Sequence, residues 1–276
     1  MLHILVCVKP VPAYSNNVLT DNGLIDRERT TLEINIADLS ALEAAFQCPF
    51  PHDVTVLMMG PKKTESLIRE LFSRGADHAL LISDMAVAGS DTIATARVLL
   101  SAIRYLSVDE DGLSSGSGKG VNEEDYFDVI LCGRRALDGE TGQVPGILAA
   151  MLNRPFIGNA QNLEYNSDGV TITRAFEDHF EKLYAGYPIL LSMCEYSYLL
   201  RLPTLEGLQS AMGKAVQTVG IHELDLDREM TGQNGSETNV VRVNTISRML
   251  RKGPRVMDAE RAAMDISRWI KGASCG

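Results

Sequence analysis

The sequence predicts an α/β protein with a doubly wound, mainly parallel sheet, added antiparallel strands and an extended C-terminal arm. Three observations carry this. Short apolar runs alternate four times with segments of helical periodicity, a glycine-rich loop follows the last of those runs, and beyond residue 158 the pattern changes to short strands joined by turns.

The elements follow in order. Ile4–Val8 is a continuous apolar run, as expected of a strand buried on both faces. Asn35–Phe46 reads as a helix, with Asn35 placed to cap it, Asp38 at its third position, and Leu39, Leu42, Ala45 and Phe46 on one stripe. Val54–Gly60 is a second buried strand. Thr64–Ser73 is helical, with Leu67, Ile68 and Leu71 on one face and Gly75 as its stop. Ala79–Ile82 is a third strand. Ser90 is expected to cap a helix running to Tyr105, striped by Ile93, Ala96, Leu100 and Ile103. Val129–Cys132 is the fourth strand and Gln143–Leu152 the fourth helix. Strand and helix in alternation give a parallel sheet covered on both faces, and ligands in such sheets bind at the carboxyl ends of the strands.

Two regions break the rhythm. Residues 107–126 are acidic and rich in Gly and Ser, the composition of a surface excursion. Beyond residue 158, Gln161–Tyr165 and Val170–Arg174 read as a hairpin turning at Asn166-Ser167-Asp168-Gly169, followed by a strand at Ile189–Cys194. This divides the chain into residues 1–200 and a polar arm, residues 201–276, which has too little apolar content for a core of its own and is expected to lie against another surface.

A formal net charge of −10 and a pI near 5.0 exclude the basic footprint of a nucleic-acid surface or of a protein drawn to anionic lipid. No stretch approaches the length of a membrane span, and the N-terminal apolar run lacks a basic flank and ends at Lys9-Pro10. The five cysteines, Cys7, Cys48, Cys132, Cys194 and Cys275, are scattered without a C-x-x-C pair. The expectation is a reduced, cytoplasmic protein. Neither the cysteines nor the five histidines have metal-ligand spacing, and no nucleophile–base arrangement stands out.

The loop after the fourth strand reads Gly133-Arg134-Arg135-Ala136-Leu137-Asp138-Gly139-Glu140-Thr141-Gly142-Gln143-Val144. Its glycines permit positive φ and close backbone approach, and the free N–H groups at Gln143 and Val144 would face an anion. This is either a phosphate cradle or a glycine-rich βα loop with no ligand. It is neither the dinucleotide G-x-G-x-x-G nor a P-loop. Asp138 and Glu140 would repel a bare phosphate, so their expected work is to brace the loop. Arg134 and Arg135 could meet a phosphate, but being adjacent they are expected to point apart, with at least one simply solvated.

Several motifs together resemble one family. Val6-Cys7-Val8-Lys9-Pro10-Val11-Pro12, Ile34-Asn35-Ile36-Ala37-Asp38-Leu39-Ser40-Ala41-Leu42-Glu43, Met59-Gly60-Pro61, Arg74-Gly75-Ala76-Asp77, Ala88–Ala96, the Gly133–Val144 loop and Arg201-Leu202-Pro203-Thr204-Leu205-Glu206-Gly207 occur in the order of the motifs of electron-transfer flavoprotein beta subunits. The resemblance covers residues 1 to about 215; the 107–126 insertion and the tail past 220 have no counterpart in these motifs. It implies a Rossmann-like, adenine-nucleotide-binding fold and a heterodimer with an alpha subunit. It also implies docking of an acyl-CoA or hydroxy-acid dehydrogenase through the leucine at Leu205, and a role as an electron carrier rather than a self-sufficient enzyme. By the same resemblance the nucleotide contacts map onto Cys7, Asn35, Ile36, Ala37, Asp38, Met59 and the loop from Gly133 to Val144. The nucleotide is structural AMP in one branch of the family and a second FAD, reduced by NADH, in the electron-bifurcating branch. Asp138-Gly139-Glu140-Thr141-Gly142 is similar to the D-G-D-T-A form of the bifurcating branch, so FAD is expected and AMP is the alternative. Ile36 and Pro145 depart from the family pattern. A second reading, an ATP- or AMP-binding module of the stress-protein type, stays open on the residues alone.

Overall fold

The computed structural model describes residues 1–13, 29–107, 126–238 and 258–270. Strands β1 (Leu2–Val8), β4 (His52–Met59), β5 (His78–Ile82) and β6 (Val129–Gly133) alternate with helices α1 (Ile36–Phe46), α2 (Glu65–Arg74), α3 (Thr92–Leu106) and α4 (Val144–Met151). A small antiparallel pair, β2 (Pro10–Pro12) and β3 (Leu32–Ile34), lies between β1 and α1. The C-terminal half adds β7 (Phe156–Tyr165), β8 (Gly169–Ala175), β9 (Phe180–Gly186), β10 (Ile189–Met193), α5 (Leu205–Gly213), β11 (Gln217–Val219) and α6 (Ala259–Ile270).

Nine of these strands form one sheet in the order β11-β5-β4-β1-β6-β10-β7-β8-β9, parallel from β11 through β7 and antiparallel from β7 to β9. The period-2 pattern explains the continuous apolar runs. Ile4, Val6 and Val8 face the layer of α1 and α2, while Leu5 and Cys7 face that of α3 and α4. From β1 the chain moves outward through β4 and β5, then crosses back by α3 to β6 on the other side of β1. The switch point therefore lies between the carboxyl ends of β1 and β6.

The described residues fall into two units, Met1–Arg242 and Val243–Gly276. In the first, the arm beyond residue 201 packs on the α/β body: β11 extends the sheet beside β5, and Val219 and Leu224 are buried in the α3–α4 layer. In the second, α6 exposes Met264, Ile266, Trp269 and Ile270.

Two capping expectations are corrected. Asn35 stands at the N-cap of α1 but makes no side-chain cap bond, because its amide is engaged by a distant loop. The α3 cap is Asp91, which accepts from Ile93 N and Ala94 N; Ser90 instead donates to Val87 O. The 107–126 excursion lies almost wholly outside the described residues. No helix among the described residues is long and apolar enough to cross a membrane.

Candidate functional site

The carboxyl ends of β1 and β6 are joined by one buried carboxylate. Asp38, on the first turn of α1 and 5% exposed, accepts from Lys9 N at 2.7 Å, from Gly133 N at 3.0 Å and from Asn35 Nδ2 at 3.0 Å. These bonds satisfy backbone donors where each strand stops pairing, which is why a carboxylate is tolerated here. Burial nevertheless pushes the Asp38 carboxyl up to about 7, against the lowering effect of its three donors and of Lys9. Gly133 is required by the same crowding: a Cβ there would stand 2.1 Å from Asp38 Oδ1 and 2.8 Å from the Cβ of Ala37.

Asn35 carries the bracing on to the glycine-rich loop. Its amide donates to Arg135 O at 3.0 Å and accepts from Leu137 N at 3.3 Å. Lys9 Nζ meets Asp138 Oδ1 at 2.7 Å, with the Asp138 side chain only 6% exposed. Asp138 thus braces the loop, and Lys9, left outside the residues singled out in the sequence, is the cation at the loop's mouth. The motif that contains Lys9 was its available signal.

The two arginines do not diverge. Arg134 Nη2 reaches Glu195 at 2.8 Å and Arg135 Nε reaches it at 3.0 Å. The chain has left the strand at Gly133, so pleat alternation no longer separates neighbours. Burial works to raise the Glu195 carboxyl, but its backbone N–H and the two guanidinium groups outweigh it and hold the group below the usual range. Nothing in the sequence around Glu195 pointed to this role.

With these side chains turned to bracing, the tip of the loop is left exposed, and Glu140, expected to brace it, stands at the tip instead. Gly139, Glu140, Thr141, Gly142 and Gln143 are exposed, and positive φ falls at Glu140 (50°) and Gly142 (62°). A Cβ on Gly139 would meet only Lys9 Nζ, at 3.9 Å. The loop ends on α4, which starts at Val144 without a side-chain cap and carries Pro145 in its first turn. Thr92 donates to Gln143 Oε1 at 3.2 Å, tying the start of α3 to the start of α4.

The structure therefore gathers Asn35, Ile36, Ala37, Asp38 and the loop from Gly133 to Val144 at the switch point, with Cys7 on β1 and Met59 at the end of β4 beside it. Cys7 is in register with Cys132, and both thiols point into the α3–α4 layer. A hydrogen bond with Cys7, together with burial and the nearby Asp38, pushes the Cys132 thiol well above its ordinary range, so it stays protonated. Leu205 stands apart, on α5, 73% exposed.

The profile of the electron transfer flavoprotein domain matches residues 22–219. The electron transfer flavoprotein subunit beta of Thermoanaerobacterium thermosaccharolyticum is 33% identical over 249 residues, 88% of either chain. The acryloyl-CoA reductase electron transfer subunit gamma of Anaerotignum propionicum is 32% identical, over 87% of this chain and 86% of that protein. The caffeyl-CoA reductase-Etf complex subunit CarD of Acetobacterium woodii is 30% identical, over 87% of each. Matches covering 88% of 276 residues necessarily run past residue 220, so that part of the tail does have a counterpart in these relatives. On the family profile and these relatives together, the chain belongs to the electron transfer flavoprotein family, in its beta-subunit branch.

Proposed function

We propose that this chain works as a heterodimer with an electron transfer flavoprotein alpha subunit, holds FAD at the β1–β6 switch point, and takes part in flavin-based electron bifurcation. In this reading electrons from NADH leave by two routes, one of them to an acyl-CoA dehydrogenase or reductase that docks at Leu205. The observation that carries the nucleotide assignment is the division of labour in the loop. Asn35, Asp38, Asp138 and Glu195 are turned inward as braces, and the exposed tip from Gly139 to Gln143, where Glu140 N already donates to Ala136 O, offers its remaining peptide N–H groups with Lys9 beside it. That arrangement suits a pyrophosphate, which needs donors and close backbone approach and tolerates no side chain in between.

The residues present fit a flavin nucleotide. Gly139 and Gly142 allow close backbone approach on either side of Glu140 and Thr141, Gln143 and Val144 lead into α4, and Lys9, paired with Asp138, is the nearby cation. FAD, when bound, would supply the redox chemistry. The chain's own part is to bind and orient the nucleotide by backbone groups, and to hold the loop rigid through Asp38 and Asn35. The CoA-thioester reductases named in two relatives support a partner of that chemical class.

Acid extraction of the purified heterodimer tests the assignment. Two FAD and no AMP are expected; one FAD with one AMP overturns the bifurcating reading and leaves AMP in this loop. A homo-oligomer without flavin would overturn the heterodimer as well. For docking, Leu205→Ala is expected to slow electron delivery to the dehydrogenase with the nucleotide retained.

A further inference from the structure

The docking loop begins at a residue fixed on all sides. Glu43, in the middle of α1 with its side chain 6% exposed, receives Arg201 N at 3.1 Å, Nε at 3.1 Å and Nη2 at 2.9 Å. The same guanidinium lies 4.1 Å from the ring centroid of Phe46, one turn along α1. Arg74 Nη1, at the end of α2, donates to Arg201 O at 2.6 Å. The backbone N–H, the carbonyl and the side chain of Arg201 are thus all held by two core helices.

The far end of the loop is fixed by contact. A Cβ on Gly207 would stand 2.3 Å from Ser73 O, so α5 rests directly on the last turn of α2. Lys214 Nζ donates to Ala76 O at 2.6 Å, and Arg69 Nη1 to Ala211 O at 3.2 Å. Between these anchors Leu202 is 80% exposed and Leu205 73% exposed. Two large apolar side chains are therefore held out in solvent on a segment tethered at both ends.

We propose that Glu43 and Arg201 are positioning residues: a staple that pre-shapes the segment Leu202–Leu205 for its redox partner. This rests on the docking reading of Leu205 given above. An ion pair with one partner buried and the other partly exposed is weak evidence for stability, because desolvation and solvent screening offset much of its Coulombic gain, and fixing one geometry is a recognised use of such pairs. Arg201 suits it, since its planar fork bonds both carboxylate oxygens while its face stacks on Phe46. A loop already in its bound shape binds more tightly, because apparent affinity rises in proportion to the fraction of molecules in the competent shape.

The test uses the chain assembled with its alpha subunit. Trypsin is a direct probe, since Arg201 must leave Glu43 before the Arg201–Leu202 bond can be cut. In Glu43→Gln, cleavage there and amide exchange across residues 202–207 are expected to quicken about tenfold. With a purified bacterial acyl-CoA dehydrogenase as electron acceptor, its KM rises about as far, with kcat at saturation and bound nucleotide unchanged. Arg201→Lys, which keeps the charge and loses the fork, is expected to raise KM in the same way and serves if the glutamine variant fails to assemble. Unchanged cleavage and exchange in a folded Glu43→Gln, or an unchanged KM where Leu205→Ala raises it, overturns the staple. An unchanged KM in Leu205→Ala overturns the docking reading instead.

Discussion

The two ends of α1 hold two loops in opposite ways. At its N-terminus, Asn35 and Asp38 grip the β6–α4 loop through backbone groups, at a point where a single added carbon at Gly133 would collide with Asp38. Two turns further on, Glu43 and Phe46 grip Arg201, and the chain beyond it carries its leucines into solvent. The first loop turns Asp138 and its two arginines to bracing and leaves a glycine-containing tip exposed. The second pairs its charge with a buried carboxylate and shows apolar side chains. A loop that meets a small anion needs peptide donors and room, whereas a loop that meets a protein needs apolar area that another surface will cover. One helix of 11 residues, about 16 Å long, serves both.

The sharpest way to break the first grip is Gly133→Ala. Its Cβ has no place to go between β6 and α1, so a loss of about 3 kcal/mol or more is expected, with the nucleotide lost as well. Thermal melting together with extracted nucleotide per chain measures both; a variant as stable as wild type would show that α1 can shift, and that the crowding is not what fixes the loop.

Asp38→Asn comes next. An amide nitrogen would face a backbone donor, leaving one of Lys9 N and Gly133 N unsatisfied, at a cost of about 1–3 kcal/mol. The wild type should also carry a pH signature. Its folded carboxyl stands at about 7 against an ordinary 3.8, so the folded state binds the proton more tightly. The stability this lends is complete below the ordinary carboxylate range and is lost as pH rises toward 7. Urea titrations across that window should show the decline in wild type and its absence in Asp38→Asn.

A smaller effect is expected at the tip. Gly142 has φ of 62°, and a Cβ there would lie 3.1 Å from Arg134 O. Gly142→Val is expected to cost about 1–2 kcal/mol in strain and to weaken nucleotide retention about tenfold. Gel filtration followed by nucleotide assay checks it, and full retention in the folded variant would move the binding site away from this loop.

The smallest change in stability belongs to Leu205→Ala. An ordinary core leucine would cost several kcal/mol on truncation, but at 73% exposure this one is expected to cost less than about 0.5 kcal/mol. Its effect should appear only in electron delivery to the partner. A large drop in melting temperature would place Leu205 under cover and undo the contrast between the two loops.

Much of this was legible in the sequence, and for a local reason. Buried parallel strands and amphipathic helices write their periods directly into the chain, so β1, β4, β5, β6 and α1 to α4 stand where the apolar runs and stripes put them, within a residue or two at most ends. The hairpin of β7 and β8 and the C-terminal stop of α2 at Gly75 were readable from turn residues in the same way. The short β2, β3 and β11, and β9 on the sheet edge, were not, because three-residue strands and an edge strand of mixed polarity lack a period to detect.

The sequence by itself determined the fold class, the family motifs and the position of the glycine-rich loop. Only the tertiary structure decided what each polar side chain does there. Asn35 and Asp38 face the loop rather than their own helix, Arg134 and Arg135 converge on Glu195, and Glu43 meets a residue 158 positions away. Periodicity reports which face of an element is apolar. It carries no information about which distant donor a buried carboxylate will satisfy, because that partner is chosen by the packing of elements far apart in the chain.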